Sequence, residues 1–255
     1  MEYGIGFLIA LFIALTGVGA GTITVPILVL FLGVPAPVAV SIGLMFATAV
    51  KLILAPAQIA RGNVAWRTLG YMLLGGAPGV LVGSLILQHL VSAGSANTLN
   101  AILGVILVST ASWQIFYSFR PMRQDGDARD RSPLLAWLMF PVGAEVGFSS
   151  AGAGALGSAA LLGLTPLAPA QVVGTDIVFG FLVSLIGSGA HWFSGPANPQ
   201  LLMQLVAGGI AGAIGGTLLS AYIPRRPLRF VLWLWLLVLG GQFLCNSYHM
   251  WAATR

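Results

Sequence analysis

The chain has 255 residues, of which 58% are hydrophobic and only 7% charged, against about a quarter charged in an ordinary soluble domain. Its net charge is +5 and it has one cysteine, Cys245, which excludes an intrachain disulfide and a cysteine-based metal cluster. Several apolar runs exceed the roughly 18 residues of a spanning helix, so the fold class is an all-α polytopic membrane protein. The basic excess belongs to loop arginines that set orientation, not to a nucleic-acid surface.

In chain order the hydrophobic stretches are 4–33, 36–60, 66–90, 97–118, 134–164, 168–193, 199–223 and 227–251. The first lacks a basic leader (Glu2 is its early charge) and a small-residue cleavage pattern, so no cleaved signal peptide is expected. At its centre stands TGVGAG, Thr16 to Gly21. As one helix this stretch is about 45 Å long, too long for a roughly 30 Å core without strong tilt. Broken at the glycines, each arm is just long enough to reach the midplane and return. The fifth stretch divides in the same way into 134–149 and 155–164, around Ser149 to Gly154. The alternative is a straight span whose glycines permit close helix packing.

SFRPMRQDGDARDRS, Ser118 to Ser132, is the one long polar connection. It divides the chain into a first membrane repeat (1–118), a cytoplasmic linker (119–133) and a second membrane repeat (134–255). Displaced by the distance from Gly19 to Gly152, the sequence matches itself without a gap from Gly17 to Gly83. Gly21 falls on Gly154, Gly62 on Gly195, and Gly75, Gly76, Gly79 and Gly83 on Gly208, Gly209, Gly212 and Gly216. Shared hydrophobicity does not keep glycine columns in register; duplication does, as in many transporters.

Arginine placement favours hairpins. If all eight stretches span, Arg225, Arg226 and Arg229 fall on the side opposite the basic linker. If the first and fifth stretches re-enter, these arginines join Arg61, Arg67, Arg120, Arg123, Arg129 and Arg131 in the cytoplasm, as the positive-inside rule requires. One re-entrant segment and three spans per copy place the two copies in opposite orientations, an inverted repeat. The two glycine tips are then expected to meet near mid-membrane. The arm after each tip, starting at Thr22 and at Ala155, presents free N–H groups and a positive dipole end, a natural anion site. The expected anion-binding residues are Thr16, Gly17, Gly19, Gly21, Thr22, Ser149, Ser150, Gly152 and Gly154, with Thr175 nearby.

Three charges lie inside the membrane body: Lys51, Glu145 and Asp176. Such charges are costly and are functional candidates by default. Lys51, the one lysine, either attracts the anion or snorkels toward Arg61. Glu145 and Asp176 suit proton coupling, or serve as structural partners of Lys51. The spacing of Gly43, Ala47, Lys51, Leu54 and Gln58 makes one helical face, whose counterparts are Asp176, Gly180, Ser184, Gly187 and His191. Such a face lines a pathway or simply packs. His191, near the outer end of its helix, is expected to be an interfacial hydrogen-bonding residue rather than a proton relay. Scattered acids and histidines make no metal-ligand cluster, and GFSSAG lacks the Gly-x-Ser-x-Gly elbow of a serine hydrolase. Neither metal, cofactor nor enzymatic activity is expected.

The paired glycine stretches, each followed by an apolar arm and a proline-containing turn (PILVLFLGVPAPVAV and LLGLTPLAPAQVV), in two four-segment halves around a polar linker, resemble the TauE/SafE family of sulfite exporters and sulfonate permeases. The resemblance covers nearly the whole chain. The family has three glycines where this chain has Gly19-Ala20-Gly21 and Gly152-Ala153-Gly154, and often a serine where this chain has Asp176. It implies a secondary transporter of the bacterial inner membrane that moves sulfite or an organosulfonate, commonly outward. A passive small-anion channel and an uptake permease for another organic anion are the alternatives. The expected partners are the substrate anion and the bilayer, with no nucleic acid, and a homodimer is compatible with the sequence.

Overall fold

The computed structural model describes residues 2–16, 19–94, 96–118, 130–152, 154–192, 198–219 and 225–253. The described chain is helical: α1 (Glu2–Thr16), α2 (Ala20–Phe31), α3 (Ala36–Ala60), α4 (Trp66–Ser92), α5 (Ala96–Ser118), a short 3-10 turn (Ser132–Leu134), α6 (Leu135–Ser149), α7 (Ala155–Leu164), α8 (Pro169–Trp192), α9 (Pro199–Leu219) and α10 (Arg225–Ala253). Most of the linker lies outside the described residues.

Local sequence explains the boundaries. Helix α2 closes where Gly33 takes φ +64° and Val34 N–H donates to the Leu28 carbonyl at 3.0 Å, a left-handed C-terminal closure that glycine adopts without a Cβ penalty. Helix α3 then starts after Pro35, with Pro37 in its first turn, where no amide proton is needed. Among the described residues, five helices are long and apolar enough to cross a membrane, lying within α3, α4, α5, α8 and α9. The chain is a multi-pass membrane protein. Leu74, Leu85, Trp137, Met203 and Leu218 face outward, as lipid-facing side chains do.

Association of such helices comes from close packing, because lipid is as apolar as leucine. Here glycine supplies the approach. Against α4, the carbonyls of Ala136, Phe140 and Ala144 on α6 stand where Cβ atoms of Gly75, Gly79 and Gly83 would be. Against α9, the carbonyls of Tyr3 and Phe7 on α1 do the same at Gly208 and Gly212. The Phe179 ring covers Gly76 and the Phe46 ring covers Gly209. The glycines matched in the sequence therefore sit at matching contacts.

Helices α3 and α8 cross at the centre. Ser41 meets His191, Thr48 meets Ser188, Leu44 meets Gly187 and Lys51 meets Gly180. From Ser41–His191 to Lys51–Gly180 the numbers rise along one helix and fall along the other, so the pair is antiparallel. Helices α5 and α10 also pair, through Gly104 against Gly240 and Leu244. At one end of the molecule Arg131 N–H donates to the Leu164 carbonyl at 2.9 Å. The entry to α6 and the exit of α7 are thus neighbours, and the chain turns back between Ser149 and Ala155.

Candidate functional site

The turn after α6 is set by two residues with positive φ. Ser150 stands at φ +61° and Gly152 at φ +92°. A serine there is uncommon; its amide still donates to the Val146 carbonyl at 2.8 Å. Ser149 donates its hydroxyl back to the Glu145 carbonyl at 2.9 Å and accepts from the Ala151 amide at 3.2 Å. Helix α7 then starts after Gly154 with no side-chain cap.

The other glycine stretch meets this turn. Helix α2 begins at Ala20, not at Thr22, with Gly19 as a cap position that also has no side-chain cap. Gly21 therefore lies inside the first turn. The Ser150 carbonyl occupies the place of its missing Cβ, so Gly21 admits a protein backbone at the position expected to admit a ligand. The Ser150 hydroxyl is buried, lies 3.0 Å from where a Gly43 Cβ would stand, and has no hydrogen-bond partner among the described residues. Thr16 and Thr22 are buried and bond backward, to the carbonyls of Phe12 and Gly19. Gly17 lies outside the described residues.

Charge enters from α3 and α8. Lys51 is 6% exposed, so it does not snorkel out of the protein. Its ammonium rests against Gly180, and Asp176, one turn earlier on α8, is the carboxylate that acts on it. Asp176 accepts from Ser158 of α7 at 2.7 Å and lies over Gly157. Lys51, Asp176 and the first turns of α2 and α7 thus surround the α3–α8 crossing. The polar faces of these two helices are largely turned toward each other. His191, in the last turn of α8, is buried, with Nδ1 3.4 Å from the Ser41 hydroxyl and Nε2 3.2 Å from the Gly147 carbonyl.

Two expected residues point elsewhere. The Thr175 hydroxyl accepts from the Ala65 amide at 2.9 Å, which fixes the α3–α4 connection to α8. Glu145 faces α5 rather than Lys51, and its carboxylate is bound to the Thr110 hydroxyl at 2.7 Å. It stands over Gly152: a Cβ there would be 2.9 Å from its Cδ and Oε2. Sequence reasoning singled out neither Thr110 nor Ser158. A lone hydroxyl on an apolar helix carries no periodic signal, and its carboxylate partner is remote in sequence. Among the described residues no three His, Cys, Asp or Glu side chains gather.

The sequence profile of the family described as "Sulfite exporter TauE/SafE" matches residues 3–243. The chain belongs to the TauE/SafE family. It is also 27% identical over 209 residues to the "Probable membrane transporter protein YjnA" of Bacillus subtilis (strain 168), covering 79% of this chain and 82% of that one. No solved structure matches it. This TauE/SafE chain is a membrane transporter; Ser150 lies against Gly21 and Gly43, and Lys51 and Asp176 lie farther along the same α3–α8 crossing.

Proposed function

We propose that this TauE/SafE chain is a secondary transporter that carries a small sulfur oxyanion, sulfite or an organosulfonate, outward across the bacterial inner membrane. The family's description supplies the sulfur oxyanion and the direction. The observation that carries the site is the meeting of Gly21 and Ser150, where two uncapped helix starts flank a buried hydroxyl with no partner among the described residues. Uncapped N–H groups and a positive dipole end attract an anion. A buried hydroxyl without a partner costs free energy, and an incoming oxyanion relieves it. Lys51 supplies the countercharge.

The architecture that suits this role is an inverted repeat with re-entrant first segments. The antiparallel α3–α8 crossing supports it, since these two helices correspond in the duplicated sequence. The paired contacts α1 with α9 and α6 with α4 support it further, as does the Arg131–Leu164 bond for a hairpin. Alternating access then rocks one half against the other around the tips.

The test is thermal stability of the purified full chain with sulfite, isethionate, sulfoacetate, sulfate, phosphate and acetate. A ligand that binds the folded state alone raises stability by mass action. The expected result is stabilisation by sulfite or a sulfonate that drops in Ser150→Ala and disappears in Lys51→Ala, with Ser150→Ala as stable as the parent without ligand. Stabilisation by acetate alone, or by none of these anions, overturns the substrate reading.

A further inference from the structure

Thr110 has more hydrogen-bond partners than hydrogens. Its Oγ1 lies 2.7 Å from the Ile106 carbonyl of its own helix and 2.7 Å from Oε1 of Glu145. A threonine hydroxyl owns one hydrogen, a main-chain carbonyl owns none, and an ionised carboxylate owns none. Two oxygen–oxygen contacts of this length each need a proton between them. The hydroxyl supplies one and can accept the other. We propose that Glu145 holds a proton in this conformation: its carboxylic acid donates to Thr110 Oγ1, and Thr110 donates to Ile106.

The surroundings agree. Leu107 and Ala111 of α5 and Val142 and Val146 of α6 are buried, with Gln114 a buried polar side chain one turn past Thr110, and an isolated carboxylate in such a body is strongly disfavoured unless it is paired or hydrogen-bonded. No cation is paired with Glu145 among the described residues. The elements packed against α6 carry Arg67, Tyr71 and His89 on α4 and Asp176 and His191 on α8, with Arg131 beside the 3-10 turn. Of these, His191 reaches α6, but at the Gly147 carbonyl, and Asp176 faces Ser158 and Lys51. Helices α2 and α7 contribute no titratable side chain, and on α5 Tyr117 stands about two turns past Thr110.

A role follows from where the acid sits. It lies over Gly152, in the turn that leads into α7. As a neutral acid it leaves the positive start of α7 open to an anion. As a carboxylate it puts a negative charge there and repels one. Proton and anion therefore occupy the protein together, and one proton accompanies each monoanion. The duplicated sequence has Phe12 at the corresponding place, so one tip carries the proton and the other does not. This second half rests on the anion-transport reading; the protonation of Glu145 does not.

Infrared spectroscopy of the full chain in lipid tests the first half. At neutral pH the expected spectrum contains the carbonyl stretch of a protonated carboxylic acid, retained in Asp176→Asn and absent from Glu145→Gln. In Thr110→Val, which keeps Glu145, the band stays and shifts in frequency. A missing band, a band that survives Glu145→Gln, or an unshifted band in Thr110→Val overturns the proposal. Isethionate, which stays monoanionic over the working pH range, tests the second half. Its stabilising effect is expected to fall as pH rises in the parent and to be flat with pH in Glu145→Gln. A flat parent response overturns the co-occupancy. The acid band together with no isethionate response at any pH supports the protonated Glu145 and removes the sulfonate reading instead.

Discussion

Around the second glycine stretch stand Glu145, Ser149 and Ser150; at the corresponding positions of the first stand Phe12, Thr16 and Gly17. Across the central crossing the same contrast recurs, with Asp176 where the other half has Gly43, and Lys51 where the other half has Ser184. The contacts that fix shape do not differ in this way. Gly75 and Gly208 each receive a carbonyl from a neighbouring helix, and Gly76 and Gly209 each lie under a phenylalanine ring. Shape is carried twice and charge once.

The largest loss is expected when one charge of the central pair is removed. Lys51→Met leaves Asp176 buried beside an apolar side chain, and loss of one member of a buried pair costs about 3–5 kcal/mol. The double variant Lys51→Met/Asp176→Asn removes both charges and is expected to recover most of that stability. Anion-dependent stabilisation is expected to be absent from both. Unfolding in detergent checks this; a Lys51→Met protein as stable as the parent would show that the two charges do not depend on each other.

Glycine substitutions test the two sets of close helix contacts. A valine at Gly79 drives its side chain into the Phe140 carbonyl, and a valine at Gly212 into that of Phe7. Backbone cannot yield as a side-chain tip does, so each is expected to lose about 1–3 kcal/mol or more. The two losses are expected to be similar, since the contacts correspond. Gly70→Ala and Gly215→Ala, with no atom within 4 Å of the added Cβ, are expected to hold or slightly raise the melting temperature, since alanine favours a helix over glycine. Unequal losses at Gly79 and Gly212 would show that the two pairs of helices bear different loads.

Much of this scaffold is legible in the sequence. The helix ends at Ser149 and Ala155 fall at the expected positions, because a run of small residues around glycine has poor helix propensity and hydrophobicity marks both arms. The use of the small residues is less legible. Gly21 and Gly152 suggested room for a ligand, but the space beside them is taken by the Ser150 carbonyl and the Glu145 carboxyl. Glycine announces a close approach without saying what approaches. His191 is buried because the last turn of α8 tucks between Ser41 of α3 and Gly147 of α6. Contacts between distant helices, such as Thr110 with Glu145, leave no periodic trace in either segment.

The smallest expected effect lies outside the membrane body, where a surface carboxylate can be compared with the buried ones. Asp130 caps the turn before α6: it accepts from the Ser132 amide at 3.0 Å and from the Ser132 hydroxyl. These bonds, aided by the Arg67 charge, hold its carboxyl below the usual value of 3.8. A depressed folded value means that its contribution is complete above about pH 3.8 and is lost as pH falls through the folded titration. Asp130 is fully exposed, so solvent screens the effect. Asp130→Asn is therefore expected to melt slightly below the parent at neutral pH and to converge with it in acid. The pH dependence of isethionate binding is expected to be unaltered, because Asp130 lies at the mouth of the α6–α7 turn and Glu145 at its tip. A change in that dependence would mean that the linker end, and not Glu145 alone, senses the proton.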